Sequence, residues 1–100
     1  MELQPIKFYG TNWCGDCRRA KAIFAEMQVP YVWIDIDQNP QAAAFVKQVN
    51  RGLRRVPTII FPDGSILVEP DSESLRAKLR NFQPNDLNLW ADRVVSPRHR

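Results

Sequence analysis

Two cysteines, Cys14 and Cys17, are the residues of this 100-residue chain whose type and spacing most directly indicate chemistry. They are the only cysteines in the sequence, and Gly15 and Asp16 stand between them. A disulfide between them would close a very small loop, so it would constrain the unfolded chain far less than a long-range disulfide does. The spacing therefore favours reactivity, either thiol–disulfide exchange or metal binding, over structural cross-linking.

The sequence around the pair predicts that Cys14 lies at the start of a helix. Residues 6–10 read as a short strand, which stops at Gly10. After the pair, apolar residues recur at helical spacing: Ala20, Ile23, Phe24 and Met27. The unpaired N–H groups and positive dipole of a helix start favour a thiolate. Cys14 is thus expected to be the nucleophile, and Cys17, one turn inside the helix, the resolving thiol.

Metal binding is the main alternative for the cysteine pair, but the number of available ligands argues against zinc. A structural zinc ion takes four ligands as a rule, and the chain offers two cysteines and one histidine, His99, close to its end. We therefore expect no metal site. A pair of buried, unreactive thiols is a second alternative, which the position at a helix start disfavours.

The middle of the chain predicts a strand followed by a second helix. The near-continuous apolar run at 31–36 is typical of a strand that is buried on both faces, as in parallel sheets. Asn39 and Pro40 suit the N-cap and first position of a helix, which residues 50–52 end. A strand–helix–strand unit of this kind requires a right-handed parallel crossover.

The next segment predicts a β-hairpin and a last helix. Residues 62–65 form the turn between strands at 58–61 and 66–69, and Asp71 or Ser72 caps the helix that follows. The order β-α-β-α-β-β-α indicates an α/β fold, a four-stranded mixed sheet flanked by three helices. Four large side chains are expected in its core: Phe24, Trp33, Phe45 and Phe61.

Length and charge indicate one small soluble domain. Residues 1–83 are expected to form it, with 84–100 as a C-terminal extension that combines a short helix and a loose basic tail. The net charge of +3 is spread along the chain, so no nucleic-acid-binding patch is expected. Neither a membrane span nor a signal peptide is visible, so we expect a cytoplasmic monomer.

Three segments together resemble the glutaredoxin-like redoxins of the thioredoxin superfamily, and the mycoredoxin branch in particular. They are Phe8–Cys17, Val56-Pro57-Thr58 and Asp63-Gly64-Ser65, and the likeness extends over residues 5–82. The resemblance implies a thioredoxin-like fold and dithiol exchange. It also implies a cis peptide bond before Pro57, which would place the Val56–Pro57 backbone against Cys14.

The resemblance further implies a thiol–disulfide oxidoreductase that reduces protein disulfides or mixed disulfides between proteins and small thiols. It implies no tightly bound cofactor. The expected co-substrate is a low-molecular-weight thiol, namely glutathione, mycothiol or bacillithiol, and the expected alternative reductant is a thioredoxin-reductase-type flavoprotein. Substrate or thiol contacts are expected at six residues: Trp13, Arg55, Val56, Pro57, Asp71 and Ser72. Many glutaredoxins carry a Gly-Gly pair where this chain has Glu69-Pro70, which makes a thiol other than glutathione credible.

Charged residues are expected to modulate the cysteine pair. Two basic clusters are expected to converge on the rim of the site: Arg18, Arg19 and Lys21, and Arg51, Arg54 and Arg55. Asp16 opposes them, but its side chain is expected to point to solvent.

Two other functions are compatible with the same fold. One is an iron–sulfur cluster carrier, because related proteins without proline after the first cysteine can share a cluster between two chains. The other is a non-catalytic module that binds partners along the Val56–Pro57 edge.

Overall fold

A computed structural model describes residues 5–82, which form a four-stranded mixed sheet with three helices. The strands are β1 (Lys7–Gly10), β2 (Val32–Asp35), β3 (Thr58–Ile60) and β4 (Ile66–Val68). The helices are α1 (Gly15–Met27), α2 (Pro40–Val49) and α3 (Ser72–Leu79), followed by a 3₁₀ turn at Arg80–Phe82. The strand order is β2-β1-β3-β4, with β1 parallel to β2 and antiparallel to β3, which in turn is antiparallel to β4. The predicted fold class and element order are confirmed.

Side chains of β1 alternate between two apolar layers, because successive residues of a strand point to opposite faces of the sheet. Phe8 is fully buried in the layer that also contains Phe24 of α1 and Leu75 of α3. Tyr9 belongs to the opposite layer, where it packs with Val46 of α2. Both faces of β1 are thus covered, and its last residue leads directly into the cysteine segment.

The prediction of a strand buried on both faces was wrong for β2. Among the described strands, β2 lies at the edge of the sheet and pairs only with β1, and Val32 is 45% exposed. Trp33 and Ile34 still pack against the two opposite layers, which explains the apolar run, but each is only partly buried. A single helix on one face and an open outer edge leave β2 less covered than a central strand.

Large aromatic side chains mostly take the predicted places. Phe24 and Phe61 are buried, whereas Phe45 is half-buried against the α2 layer. Phe82 closes the other layer through a ring contact with Phe61, at a centroid distance of 5.3 Å. The extension predicted for 84–100 lies outside the described residues. Within residues 5–82, no helix is long and apolar enough to cross a membrane.

The caps of the last two helices agree with the sequence. Asn39 Oδ1 accepts a hydrogen bond from Ala42 N–H at 3.0 Å and begins α2. Asp71 Oδ1 accepts one from Ser74 N–H at 2.7 Å, so Asp71 rather than Ser72 is the N-cap of α3. These contacts satisfy N–H groups that a helix start otherwise leaves unpaired.

The turn between β3 and β4 is organised by the carboxylate of Asp63. Asp63 Oδ1 accepts hydrogen bonds from the hydroxyl and the N–H of Ser65, at 2.6 and 2.9 Å, and Oδ2 accepts one from Lys78 of α3 at 3.1 Å. Gly64 has φ of 89°, a conformation that favours glycine. The carboxylate therefore ties the hairpin to α3.

We expect this turn to make the folded domain sensitive to acid. The hydrogen bonds from Ser65, with that from Lys78, lower the pKa of Asp63 from 3.8 to about 2. Because the folded pKa is depressed, the stabilisation is fully present above the ordinary value of 3.8 and is lost as the pH falls towards 2. Urea unfolding at a series of pH values should show a shallower acid loss in Asp63→Asn than in the wild type. Glu73→Gln, which removes an exposed carboxylate of α3, should keep the wild-type slope; equal slopes in all three proteins would contradict the assignment.

Candidate active site

Cys14 is the N-cap of α1, the position that the sequence assigned to the nucleophile. Its backbone is extended, with φ −83° and ψ 121°, and its sulfur accepts a hydrogen bond from Cys17 N–H at 3.2 Å. The sulfur therefore takes the place that a serine or aspartate oxygen usually takes at a helix start. The N–H group and the positive end of the helix dipole both favour negative charge on this sulfur. Cys14 is also partly exposed, so a disulfide can reach it.

Cys17 lies on the same helix but has no exposed surface. Both cysteines are free thiols. Burial raises the pKa of Cys17 to about 12, and the neighbouring Cys14 sulfur adds to the increase, whereas a backbone hydrogen bond from Thr11 and the charge of Lys21 oppose it. At neutral pH the inner thiol is thus protonated, and the two cysteines differ strongly in access to solvent.

The Val56–Pro57 segment faces Cys14 across the site. The peptide bond between these residues is cis, as the resemblance implied. The Cys14 thiol donates to the Val56 carbonyl oxygen at 3.9 Å, and Pro57 is buried beside the start of β3. Thr58 fixes the approach to this strand, since its hydroxyl donates to the Arg55 carbonyl at 2.7 Å.

Trp13, which precedes Cys14 in the sequence, has a largely exposed side chain. Its side chain is 68% exposed, yet the indole Nε1 donates to Asp37 Oδ2 at 2.8 Å. The other carboxylate oxygen of Asp37 accepts a hydrogen bond from Arg54 at 2.6 Å. The hydrogen bonds from Arg54 and Trp13 lower the pKa of Asp37, so the carboxylate stays ionised and keeps the indole oriented.

The start of α3 is joined to α1 by Arg19. The Arg19 guanidinium donates to Ser72 Oγ at 2.9 Å, to the Pro70 carbonyl at 3.3 Å and to Asp16 at 3.2 Å. The Asp71 carboxylate accepts the hydrogen bond of Ser74 N–H, so this N–H group is not open to a ligand.

Most of the basic residues expected at the rim of the site have partners of their own. Besides Arg19 and Arg54, Arg18 donates to the Asn12 carbonyl at 3.2 Å, and Arg55 lies 3.8 Å from Glu69. Lys21 differs from these arginines, because its ammonium lies over the Trp33 ring, 3.6 Å from the centroid. Asp16 is exposed, as expected, but its carboxylate is paired with Arg19 rather than free in solvent.

Gly10 permits the close packing beneath the cysteine pair. A Cβ atom at this position would stand 2.7 Å from Cys17 Sγ and 2.8 Å from the Trp33 ring, closer than real Cβ contacts. The sequence pattern predicts Gly10 only as the end of a strand. Asp37 was also missed, because it lies 24 residues from Trp13 and no local pattern connects them. A glycine at the last strand position before the cysteine segment is the one signal that could have indicated a close approach.

The fold and the site together define a thioredoxin-like domain with a dithiol at a helix N-terminus. Among solved structures, a thioredoxin-like protein aligns with a TM-score of 0.67, 21% identity and coverage of 81% of this chain and all of that chain. A buckwheat glutaredoxin–glutathione complex aligns with a TM-score of 0.58 and 26% identity, over 77% of this chain and 69% of that chain.

Sequence comparisons identify the family. The glutaredoxin family model matches residues 6–67. A Mycobacterium tuberculosis protein named as a glutaredoxin is 43% identical over 79 residues, which cover 79% of this chain and 94% of that protein. Mycoredoxin 1 of Corynebacterium glutamicum is 36% identical over 78 residues, 77% of this chain and 95% of that protein. The chain belongs to the glutaredoxin family.

Proposed function

We propose that this glutaredoxin-family protein is a dithiol oxidoreductase that reduces protein disulfides and mixed disulfides between proteins and small thiols. The observation that carries the proposal is the asymmetry of the pair: Cys14 caps α1 and is accessible, whereas Cys17 is fully buried within hydrogen-bonding distance of it. Such an arrangement suits a first attack by the outer sulfur and a second attack by the inner one.

The first step forms a mixed disulfide. The Cys14 thiolate attacks one sulfur of the substrate disulfide, a bond forms between the two sulfurs, and the other substrate sulfur leaves as a thiolate and takes up a proton. Cys17 N–H, which donates to Cys14 Sγ, stabilises the attacking thiolate. The Val56 carbonyl limits the approach to Cys14 on one side.

The second step releases the reduced substrate. Cys17 loses its proton and attacks Cys14 Sγ, which forms the Cys14–Cys17 disulfide and expels the substrate sulfur. A reductant then returns the enzyme to the dithiol state; we propose a low-molecular-weight thiol or a thioredoxin-reductase-type flavoprotein.

Two surfaces would hold the substrate. On one side, the exposed ring of Trp13 offers an apolar face and the Val56–Pro57 backbone offers an edge for an extended peptide. On the other side, Arg55 and the start of α3, with Asp71 and Ser72, would contact the small thiol.

The charges at the start of α3 affect which low-molecular-weight thiol the site would accept as co-substrate. Glu69 and Asp71 place two carboxylates there; Glu69 lies 3.8 Å from Arg55, and Asp71 occupies Ser74 N–H. Glu69 also has φ of 49°, a left-handed conformation that favours glycine. A ligand carboxylate would compete with these acids for the same partners. We therefore propose mycothiol, which carries no carboxylate, ahead of glutathione and bacillithiol.

A panel of reductants tests this proposal. The oxidised protein is mixed with glutathione, mycothiol or bacillithiol at equal concentrations, or with a thioredoxin reductase system, and the reduction of a protein–thiol mixed disulfide is followed. We expect mycothiol to sustain the fastest turnover and Cys14→Ser to show none with any reductant. Fastest turnover with glutathione would contradict the preference, and turnover by Cys14→Ser would contradict the proposed function.

A further inference from the structure

The Cys17 sulfur is enclosed by uncharged groups of the sheet and by one positively charged side chain. Gly10 of β1 lies beside it, and a Cβ at Gly10 would stand 2.7 Å from the Cys17 sulfur and 2.8–2.9 Å from the Trp33 ring of β2. Within residues 5–82, the ionisable side chains whose charge acts on Cys17 are Cys14 and Lys21.

Lys21 is held close to this sulfur by its position and by a ring contact. It follows Cys17 by four residues on α1, so both side chains lie on the same face of the helix. Its ammonium lies 3.6 Å from the centroid of the Trp33 ring. This cation–π contact keeps the charge on a ring whose edge borders Cys17, rather than extended into solvent.

Other charged groups near this region have partners that hold them elsewhere. Asp35 pairs with Gly10 in the β1–β2 register, but its carboxylate oxygens accept hydrogen bonds from Asn12 Nδ2 at 3.2 Å and from Asp37 N–H at 2.9 Å. Arg18 on α1 donates to the Asn12 carbonyl. Lys21 is therefore the cation that faces the inner thiol.

We propose that Lys21 promotes the resolving step, by stabilising the thiolate that Cys17 must form before it attacks. The inference rests on the dithiol function proposed above. In the mixed disulfide the Cys14 sulfur bears no charge, so its unfavourable effect on ionisation of Cys17 disappears. The charge of Lys21, which favours the Cys17 thiolate, then acts without that opposing contribution.

The chemistry of this step is balanced without a further reagent. Cys17 gives its proton to water, and its thiolate forms a bond to Cys14 Sγ while the bond from Cys14 to the substrate sulfur breaks. The departing thiolate takes up a proton. The two cysteines lose two electrons in total, and the substrate disulfide gains them.

Ellman's disulfide separates the two steps in one experiment. Attack by Cys14 releases the first equivalent of coloured thiolate, and attack by Cys17 on the resulting mixed disulfide releases the second. Stopped-flow absorbance over a range of pH therefore measures both rates on the intact chain. The first phase measures the attack by Cys14, and the second measures the attack by Cys17, on which Lys21 is expected to act.

We expect Lys21→Met and Lys21→Gln to slow the second phase about threefold to tenfold near neutral pH and to move its pH midpoint upwards. The fraction of Cys17 present as thiolate changes tenfold per pKa unit, but a thiolate of higher pKa is also a stronger nucleophile, which offsets part of the loss. The first phase should change little. Lys21→Arg should restore most of the second-phase rate, because it keeps a cation on Trp33. Lys47→Met, which removes an exposed charge of α2, should leave both phases unchanged.

Two outcomes would overturn the inference: a second phase with an unchanged pH midpoint in both uncharged variants, or an equal loss in Lys21→Arg. Having two uncharged variants keeps the test decisive if one of them fails to fold. A wild-type protein that releases only one equivalent would instead contradict the proposed dithiol function, whatever Lys21 does.

Discussion

Cys17→Ser is expected to accumulate a stable mixed disulfide on Cys14, whereas Cys14→Ser is expected to lose disulfide reduction entirely. In the first variant the accessible sulfur still attacks, but no second thiol remains to release the product, because the chain has only two cysteines. In the second variant the remaining thiol is fully buried, and burial still holds its pKa above the ordinary value, so it is a poor nucleophile at neutral pH. Intact-mass spectrometry after incubation with a protein–thiol mixed disulfide measures both outcomes.

Three results would each contradict this division of roles. An adduct on Cys17 of the Cys14→Ser protein, formed as fast as on Cys14 of Cys17→Ser, would show that the two thiols are equivalent. Full turnover by Cys17→Ser would show that resolution does not need the inner thiol. An iron-containing chromophore in anaerobically purified wild type, lost in Cys14→Ser, would favour the cluster-carrier function instead.

The sequence predicted the features of the site that depend on local chemistry. Cys14 was assigned to a helix start from the strand before it and the apolar spacing after it, and the structure makes it the N-cap of α1. Asn39 was identified as a cap because a short polar side chain before proline suits that position, and it holds Ala42 N–H. Such interactions join residues within one helical turn, so a local pattern is enough to find them.

The features that the sequence did not reveal join distant parts of the chain. Asp37 reaches Trp13 across 24 residues and Arg54 across 17. Arg19 reaches Ser72 across 53. Each of these side chains is polar or has a polar group and is partly exposed. Its residue type alone therefore does not distinguish it from an ordinary surface residue. Only the three-dimensional arrangement of the sheet decides which surface residues meet.

The misassigned burial of β2 has a related cause. An apolar run indicates that both faces of a strand contact apolar layers, but it does not show how completely they are buried or whether another strand pairs along the outer edge. Trp33 and Ile34 pack on opposite faces, as the run required, yet Val32 remains 45% exposed at the edge. Strand order depends on non-local pairing, which periodicity does not encode.

Gly10→Ala is expected to destabilise the domain by about 1–3 kcal/mol, the usual cost of inserting atoms into a well-packed interior. The new Cβ would stand 2.7 Å from Cys17 Sγ and 2.8 Å from the Trp33 ring, so the sulfur or the ring has to move. For a domain of this size, such a loss lowers the melting temperature by about 4–8 °C per kcal/mol. The displaced sulfur should also slow the release of the mixed disulfide by Cys17. Thermal melts followed by circular dichroism, and the second phase of the reaction with Ellman's disulfide, measure the two effects.

Gly15→Ala is the matched control, with the opposite expected sign. A Cβ at Gly15 would meet no atom within 4 Å, and a glycine-to-alanine change that the backbone tolerates stabilises a protein by about 0.4–1 kcal/mol, because it restricts the unfolded chain. Gly15 also lies between the two cysteines, so the control varies the same motif without crowding the buried sulfur. Equal stability of the two alanine variants would contradict the close approach beneath Cys17. A destabilised Gly10→Ala protein with a normal second phase would show that Cys17 keeps its place and that Trp33 moves instead.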